Sequence, residues 1–189
     1  LYTSGTTGRS KGAMLTHGNP ASNALALAGL WRFTPDDVLL HALPIYHTHG
    51  LFTATNTILI SGGRMIFRPK FDANDVVARL PEATAMMGVP TFYTRLLQHP
   101  GFTRELAAHM RLFISGSAPL LAETHAQFQA LTGHAILERY GMTETNMNLS
   151  NPYEGERRSG TVGLPLPGVE MRLVDVVDRI GGIEIRGPN

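Results

Sequence analysis

The stretch Ala85-Met86-Met87-Gly88-Val89-Pro90-Thr91-Phe92-Tyr93-Thr94-Arg95-Leu96-Leu97-Gln98 sets the architecture. Its first five residues carry no charge and run up to a proline, as a fully buried strand does, and residues 91–98 then read as a helix. The same unit recurs on both sides. Upstream, residues 37–43 read as a buried strand ending at Pro44, followed by a polar turn at residues 46–50, a helix through Ile60, a strand at 63–67 and a helix at 72–80 with Asp72 as its cap. Downstream, a strand at 110–115, a helix at 121–132 and a strand at 135–139 lead into residues 140–144. At the start, residues 1–3 read as a strand end, 4–12 as a polar loop and 16–29 as a helix. Short apolar strands alternating with helices predict an α/β fold, a mostly parallel sheet flanked by helices on both faces. Strict alternation at residues 169–174, with 182–186 as a partner, predicts the start of a smaller β region. The boundary is placed between residues 1–159 and 160–189.

Composition narrows the function classes. With 43% hydrophobic and 16% charged residues the chain is of the ordinary globular kind. Sixteen Lys and Arg against fifteen Asp and Glu, without a run of like charges, give no electrostatic footprint for nucleic acid. The absence of cysteine excludes disulfides and thiolate metal sites. No segment reaches the about eighteen apolar residues of a membrane span, and no export signal opens the chain, so a cytoplasmic setting is expected. Leu1-Tyr2-Thr3 and Arg186-Gly187-Pro188-Asn189 do not look like natural termini, and a piece of a longer protein is expected. The oligomeric state is left open.

In such a sheet, ligands bind beyond the carboxyl ends of the strands. The polar loops at residues 4–12, 47–50, 116–118 and 140–144 all follow predicted strands and are expected to converge there. Thr3-Ser4-Gly5-Thr6-Thr7-Gly8-Arg9-Ser10-Lys11-Gly12 suits a polyphosphate: glycines let backbone amides approach an anion, hydroxyls donate, and Lys11 adds charge. A Walker A loop needs glycine before its lysine and Ser or Thr after it, where this chain has Ser10 and Gly12. Taken alone, the loop reads equally as a flexible surface linker.

Residues 2–12 resemble the signature of the adenylate-forming superfamily of acyl-CoA synthetases, aryl-CoA ligases, luciferases and peptide-synthetase adenylation domains. Ser10 replaces the commoner proline. Four further strings follow in the family's order: Leu43-Pro44-Ile45-Tyr46-His47-Thr48-His49-Gly50, Gly116-Ser117-Ala118-Pro119-Leu120, Tyr140-Gly141-Met142-Thr143-Glu144 and Gly182-Ile183-Glu184-Ile185-Arg186-Gly187-Pro188. The resemblance implies ATP, Mg2+ and coenzyme A. It places the nucleotide against Thr3, Ser4, Gly5, Thr6, Thr7, Gly8, Lys11, Gly116, Ser117, Ala118, Glu138, Arg139, Tyr140, Gly141, Met142 and Thr143. Lys11, His47, Thr143 and Glu144 are the implied catalytic set, with Glu144 as the Mg2+ ligand. The ribose-binding aspartate, the hinge and a C-terminal lid domain with the catalytic lysine would lie beyond Asn189.

The acid is expected to meet His47, Arg95, Ser117 and Met142. A cation in the helix after Pro90, where fatty-acid and aryl-acid enzymes use apolar residues, invites a second carboxylate. Within the superfamily the chain looks most like malonyl-CoA synthetases, whose matching arginine and serine bind the distal carboxylate of malonate or methylmalonate. That resemblance implies malonyl-AMP formation followed by transfer to coenzyme A. The bland readings are that Arg95 faces solvent, Tyr140 is a core aromatic and Glu144 is a solvated helix-start residue. His47 and His49 have no further ligands at zinc spacing, and His99, His109 and His125 read as surface residues. Met86, Met142 and Met147 read as core filler, and no G-x-S-x-G elbow occurs. A ligase for another short or medium acid, or a nucleotide-binding piece without catalysis, are the competing readings.

Overall fold

Residues 1–3 and 9–189 are described by the computed structural model of the chain. A short antiparallel ribbon, β1 (Tyr2–Thr3) and β2 (Lys11–Gly12), pairs Thr3 with Lys11. Helix α1 (Gly18–Leu30) leads to β3 (Val38–His41), a π-helical turn (His49–Thr55) and α2 (Asn56–Ile60). Then come β4 (Arg64–Phe67), α3 (Ala73–Arg79), β5 (Ala85–Gly88), α4 (Pro90–Leu97), α5 (Arg104–Ala107), β6 (Leu112–Ser115) and α6 (Ala122–Thr132). The chain closes with β7 (Leu137–Met142), β8 (Asn146–Ser150), β9 (Leu164–Pro165), β10 (Glu170–Val177) and β11 (Ile180–Arg186).

Seven strands form one sheet in the order β4-β3-β5-β6-β7-β8-β9. The first five pair in parallel, and β8 and β9 run antiparallel. Growth of the sheet reverses between β4 and β5, so the switch point lies between β3 and β5. The register sets Gly88 beside Ser115 and Ser115 beside Glu138, aligning the strand ends along one edge.

The layers follow from the pleat, because successive residues of a strand point to opposite faces. Leu39, Ala85, Met87, Leu112, Ile114 and Leu137 pack with Leu27 and Trp31 from α1 and Ile58 from α2. Leu40, Met86 and Phe113 pack on the other face with Val76 of α3, Tyr93 and Leu96 of α4 and Phe128 of α6. Phe113 and Phe128 meet edge to face at 5.0 Å, and truncating either to alanine is expected to cost about 3–5 kcal/mol. At the edge opposite the site, Arg111 holds both oxygens of Asp37 at 2.6 and 2.7 Å and donates to the Trp31 carbonyl. Thr84 donates to the same carboxylate, so the starts of β3, β5 and β6 are tied together.

The predicted α/β sheet and the small antiparallel pair are both present. Asp72 caps α3 by accepting from the Asp75 amide at 3.0 Å, as its position predicts. The structure also differs from the sequence reading, which lacks β2, α5 and β9. The helix predicted after Gly50 begins as the π-helical turn at His49. The strand expected at 135–139 extends through Met142 and folds back as β8, which the sequence reading lacks. His125, read as a surface residue, is buried, and its Nε2 donates to the Ile136 carbonyl at 3.1 Å. Among the described residues no helix is long and apolar enough to cross a membrane.

Candidate functional site

Two cavities open beyond the carboxyl ends of β3, β5, β6 and β7. One, of about 440 Å3, is walled by Ser115, Ser117 to Leu120, Glu138 to Gly141, Gly160 and Val162. The other, of about 520 Å3, is walled by Leu43, Pro44, His47 to Gly50, Val89, Phe92, Met142, Thr143 and Met147. Ser117, Arg139 and Gly141 belong to both. Three of the four polar loops singled out in the sequence therefore meet.

Arg139 stands between the cavities. It is 3% exposed, and its Nε and one terminal nitrogen have no hydrogen-bond partner among the described residues. Burial pushes its pKa down to about 9. It forms no ion pair among the described residues, and residues 4–8 contain no acid that could supply one. Holding a guanidinium there depends on Gly116: a Cβ at that position would lie 2.4 Å from the guanidinium carbon. A buried cation so placed is costly unless an anion joins it.

His49 is the second buried group. Its Nδ1 lies 3.1 Å from Ser117 Oγ, while its Nε2 is buried without a partner among the described residues. Burial, and then the charges of Arg139 and His41, hold its pKa well below the ordinary value. Ser117 reaches it from a backbone at φ 69°, a conformation that non-glycine residues adopt sparingly and that collects at functional sites. Glu138, 6% exposed, accepts from the Gly160 amide, and burial raises its pKa.

The other predicted site residues are distributed as follows. Ala118, Glu138 and Tyr140 line the smaller cavity, and His47, Met142 and Thr143 the larger. Tyr140 is half-buried, with its hydroxyl 3.8 Å from Met142 Sδ. Gly116 lines neither cavity but abuts Arg139. Glu144 is exposed in the turn after β7. Ser4, Gly5, Thr6, Thr7 and Gly8 lie outside the described residues; Thr3 and Lys11 flank them on β1 and β2 and line neither cavity. Arg95 is exposed on α4, its guanidinium 5.1 Å over the Phe71 ring, and lines neither cavity. Among the site residues named from the sequence, the buried guanidinium is that of Arg139. His49, Val89 and Phe92 join the larger cavity without having been singled out as site residues. The signal for His49 was its place two residues after His47, in the polar loop that follows a buried strand.

The chain is similar to known proteins over its whole length. The chain is 64% identical to MatB from Rhodopseudomonas palustris in its ATP-bound crystal structure, with a TM-score of 0.96 over 100% of this chain and 39% of that one. It superposes with a TM-score of 0.91 and 43% identity on a malonyl-CoA ligase in a ternary product complex with methylmalonyl-CoA and AMP, covering 43% of that chain. It is 39% identical to the malonate–CoA ligase of Arabidopsis thaliana over 97% of this chain and 33% of that protein. The chain thus spans about a third of the length of the curated relatives it matches. The family described as AMP-binding enzyme matches residues 1–189, and the chain belongs to that family.

Proposed function

We propose that the protein carrying this chain is an AMP-forming acid–CoA ligase whose acid is a small dicarboxylate, malonate or methylmalonate. One observation carries the acid: a buried guanidinium with two nitrogens unmatched among the described residues lines the larger cavity, next to Ser117 and His49. A distal carboxylate matches the planar fork of Arg139, and the Nε2–H tautomer of His49 adds a neutral donor. A monocarboxylic acid would leave the cation unpaired. The named ligands of the relatives, ATP and methylmalonyl-CoA among them, support the same reading.

The smaller cavity suits the adenine ring, with Tyr140 as a flat wall, Leu120 and Val162 as apolar lining and Glu138 as the buried acceptor. The reacting carboxylate of the acid attacks the α-phosphorus; an O–P bond forms and the bond to pyrophosphate breaks, giving acyl-AMP. The coenzyme A thiol then attacks the acyl carbon, loses its proton, and releases AMP. Thr143, on the cavity wall, is assigned the donor to the α-phosphate, and His47 lines the larger cavity. Thr3, the loop that follows it and Lys11 are assigned to the β- and γ-phosphates. The exposed carboxylate of Glu144 would hold Mg2+, which favours one or two carboxylates plus phosphates and would supply positive charge beside the nucleotide phosphates.

Pyrophosphate release by the full-length protein, with malonate and with butyrate, tests this. Arg139→Met is expected to lower kcat/KM for malonate about 100-fold while sparing butyrate, because the cation is what the second carboxylate binds. An unchanged preference would refute the assignment.

A further inference from the structure

His41, the last residue of β3, is completely buried and has no part in the chemistry above. Its Nδ1 accepts from the Leu43 amide at 3.3 Å, so in the neutral ring the proton sits on Nε2. That nitrogen donates to the Gly50 carbonyl at 2.9 Å, and Thr55 Oγ1 donates to the same oxygen at 2.9 Å. Burial lowers the pKa of the ring, which keeps it in this neutral form. Gly50 has no freedom to compensate: a Cβ there would lie 2.2 Å from the Pro44 carbonyl oxygen.

One imidazole therefore fastens both ends of residues 43–50, the segment that carries His47, Thr48 and His49. The tie at Gly50 falls within the π-helical turn, a form that occurs mostly as single turns near functional sites and lacks the regular i→i−4 ladder. Gly50 adjoins His49, whose imidazole meets Ser117 on one side and on the other offers a nitrogen unpaired among the described residues. A shift of the Gly50 carbonyl moves His49 relative to Ser117 and Arg139.

We infer that His41, with Thr55, is a positioning residue for the acid site: by fixing the Gly50 carbonyl it sets where His49 stands, and so sets the preference for dicarboxylic over monocarboxylic acids. The inference rests on the acid-site reading given above.

The test is the ratio of kcat/KM for malonate to that for butyrate in the full-length protein, with the KM for ATP measured alongside. His41→Leu removes both ring hydrogen bonds and is expected to lower the ratio about tenfold, and Thr55→Val about threefold. His41→Gln, which can still donate to Gly50, is expected to stay within about twofold of the parent. The KM for ATP stays within about twofold in all three. An unchanged ratio in Thr55→Val, or an equal loss for malonate, butyrate and ATP, would reduce His41 to a scaffold residue and overturn the inference. Should His41→Leu fail to fold, the Gln and Val variants decide on the same criteria. Arg139→Met, run in parallel, separates the two claims: if it keeps the malonate preference, the acid-site reading falls and this inference with it. If Arg139→Met loses the preference while Thr55→Val does not move, only the positioning role falls.

Discussion

Arg139 and Arg95 illustrate how environment decides what a side chain does. Arg95 keeps its charge in water and lies over Phe71, so Arg95→Ala is expected to change the malonate-to-butyrate ratio by less than about twofold in a pyrophosphate assay. Arg139→Lys keeps a charge but not the planar fork, and is expected to lower malonate turnover about tenfold. The sequence reading gave the cation of the acid site to Arg95 and set Arg139 among the nucleotide-binding residues. Within 91–98 the buried positions are Tyr93 and Leu96, which places Arg95 on the wet side of α4. Glu138 and Arg139, by contrast, directly follow Ile136 and Leu137 in the buried first half of β7, where a charge stays in the interior and needs a partner. His49 adds a pH signature. Its folded pKa lies well below 6.5, so below that pH the unfolded chain binds a proton that the folded chain does not, and stability falls as pH drops. Replacing His49 with glutamine is expected to flatten that part of the stability curve, read as thermal midpoint against pH.

The elements that were easiest to read are those whose burial is purely apolar. Residues 85–88 and 112–115 show no polar face, so their strands were visible as runs bounded by proline or glycine. β8 was not visible because Asn146-Met147-Asn148-Leu149-Ser150 reads as polar, yet all five residues are buried. Side-chain amides make this possible: Asn23 bonds the backbone of Met147 in both directions, and Asn189 donates to Thr145, Met147 and Asn148. Such long-range satisfaction leaves no local periodicity to detect. The π-helical turn was hidden for a related reason, since its form is held by His41 and Thr55 rather than by helix propensity. Helix α3 is a simpler case: Asp72→Ala is expected to cost about 1 kcal/mol in urea unfolding by removing the bond to the Asp75 amide, with no change in acid preference.

Across the whole molecule, stability and chemistry occupy opposite edges of one sheet. The Asp37–Arg111 pair fastens the starts of three strands, and the cavities open where those strands end. Burial raises the Asp37 pKa, but hydrogen bonds from Arg111, Thr84 and Thr34 and the Arg111 charge outweigh it, and the net shift is downward from 3.8. The stabilisation is therefore complete above about pH 4 and is lost as pH falls through the folded value. Asp37→Asn is expected to destabilise the protein by about 3 kcal/mol, to remove that acid-limb component, and to leave the malonate-to-butyrate ratio unchanged.

The guanidinium between the two cavities is proposed as the receptor for a second carboxylate. The decisive measurement is a crystal structure of the full-length protein with AMP and malonate. A carboxylate oxygen is expected within hydrogen-bond distance of the Arg139 nitrogens that have no partner among the described residues, with His49 and Ser117 beside it. A malonate whose distal carboxylate lies in solvent or against Arg95, with Arg139 paired to some other group, would contradict it.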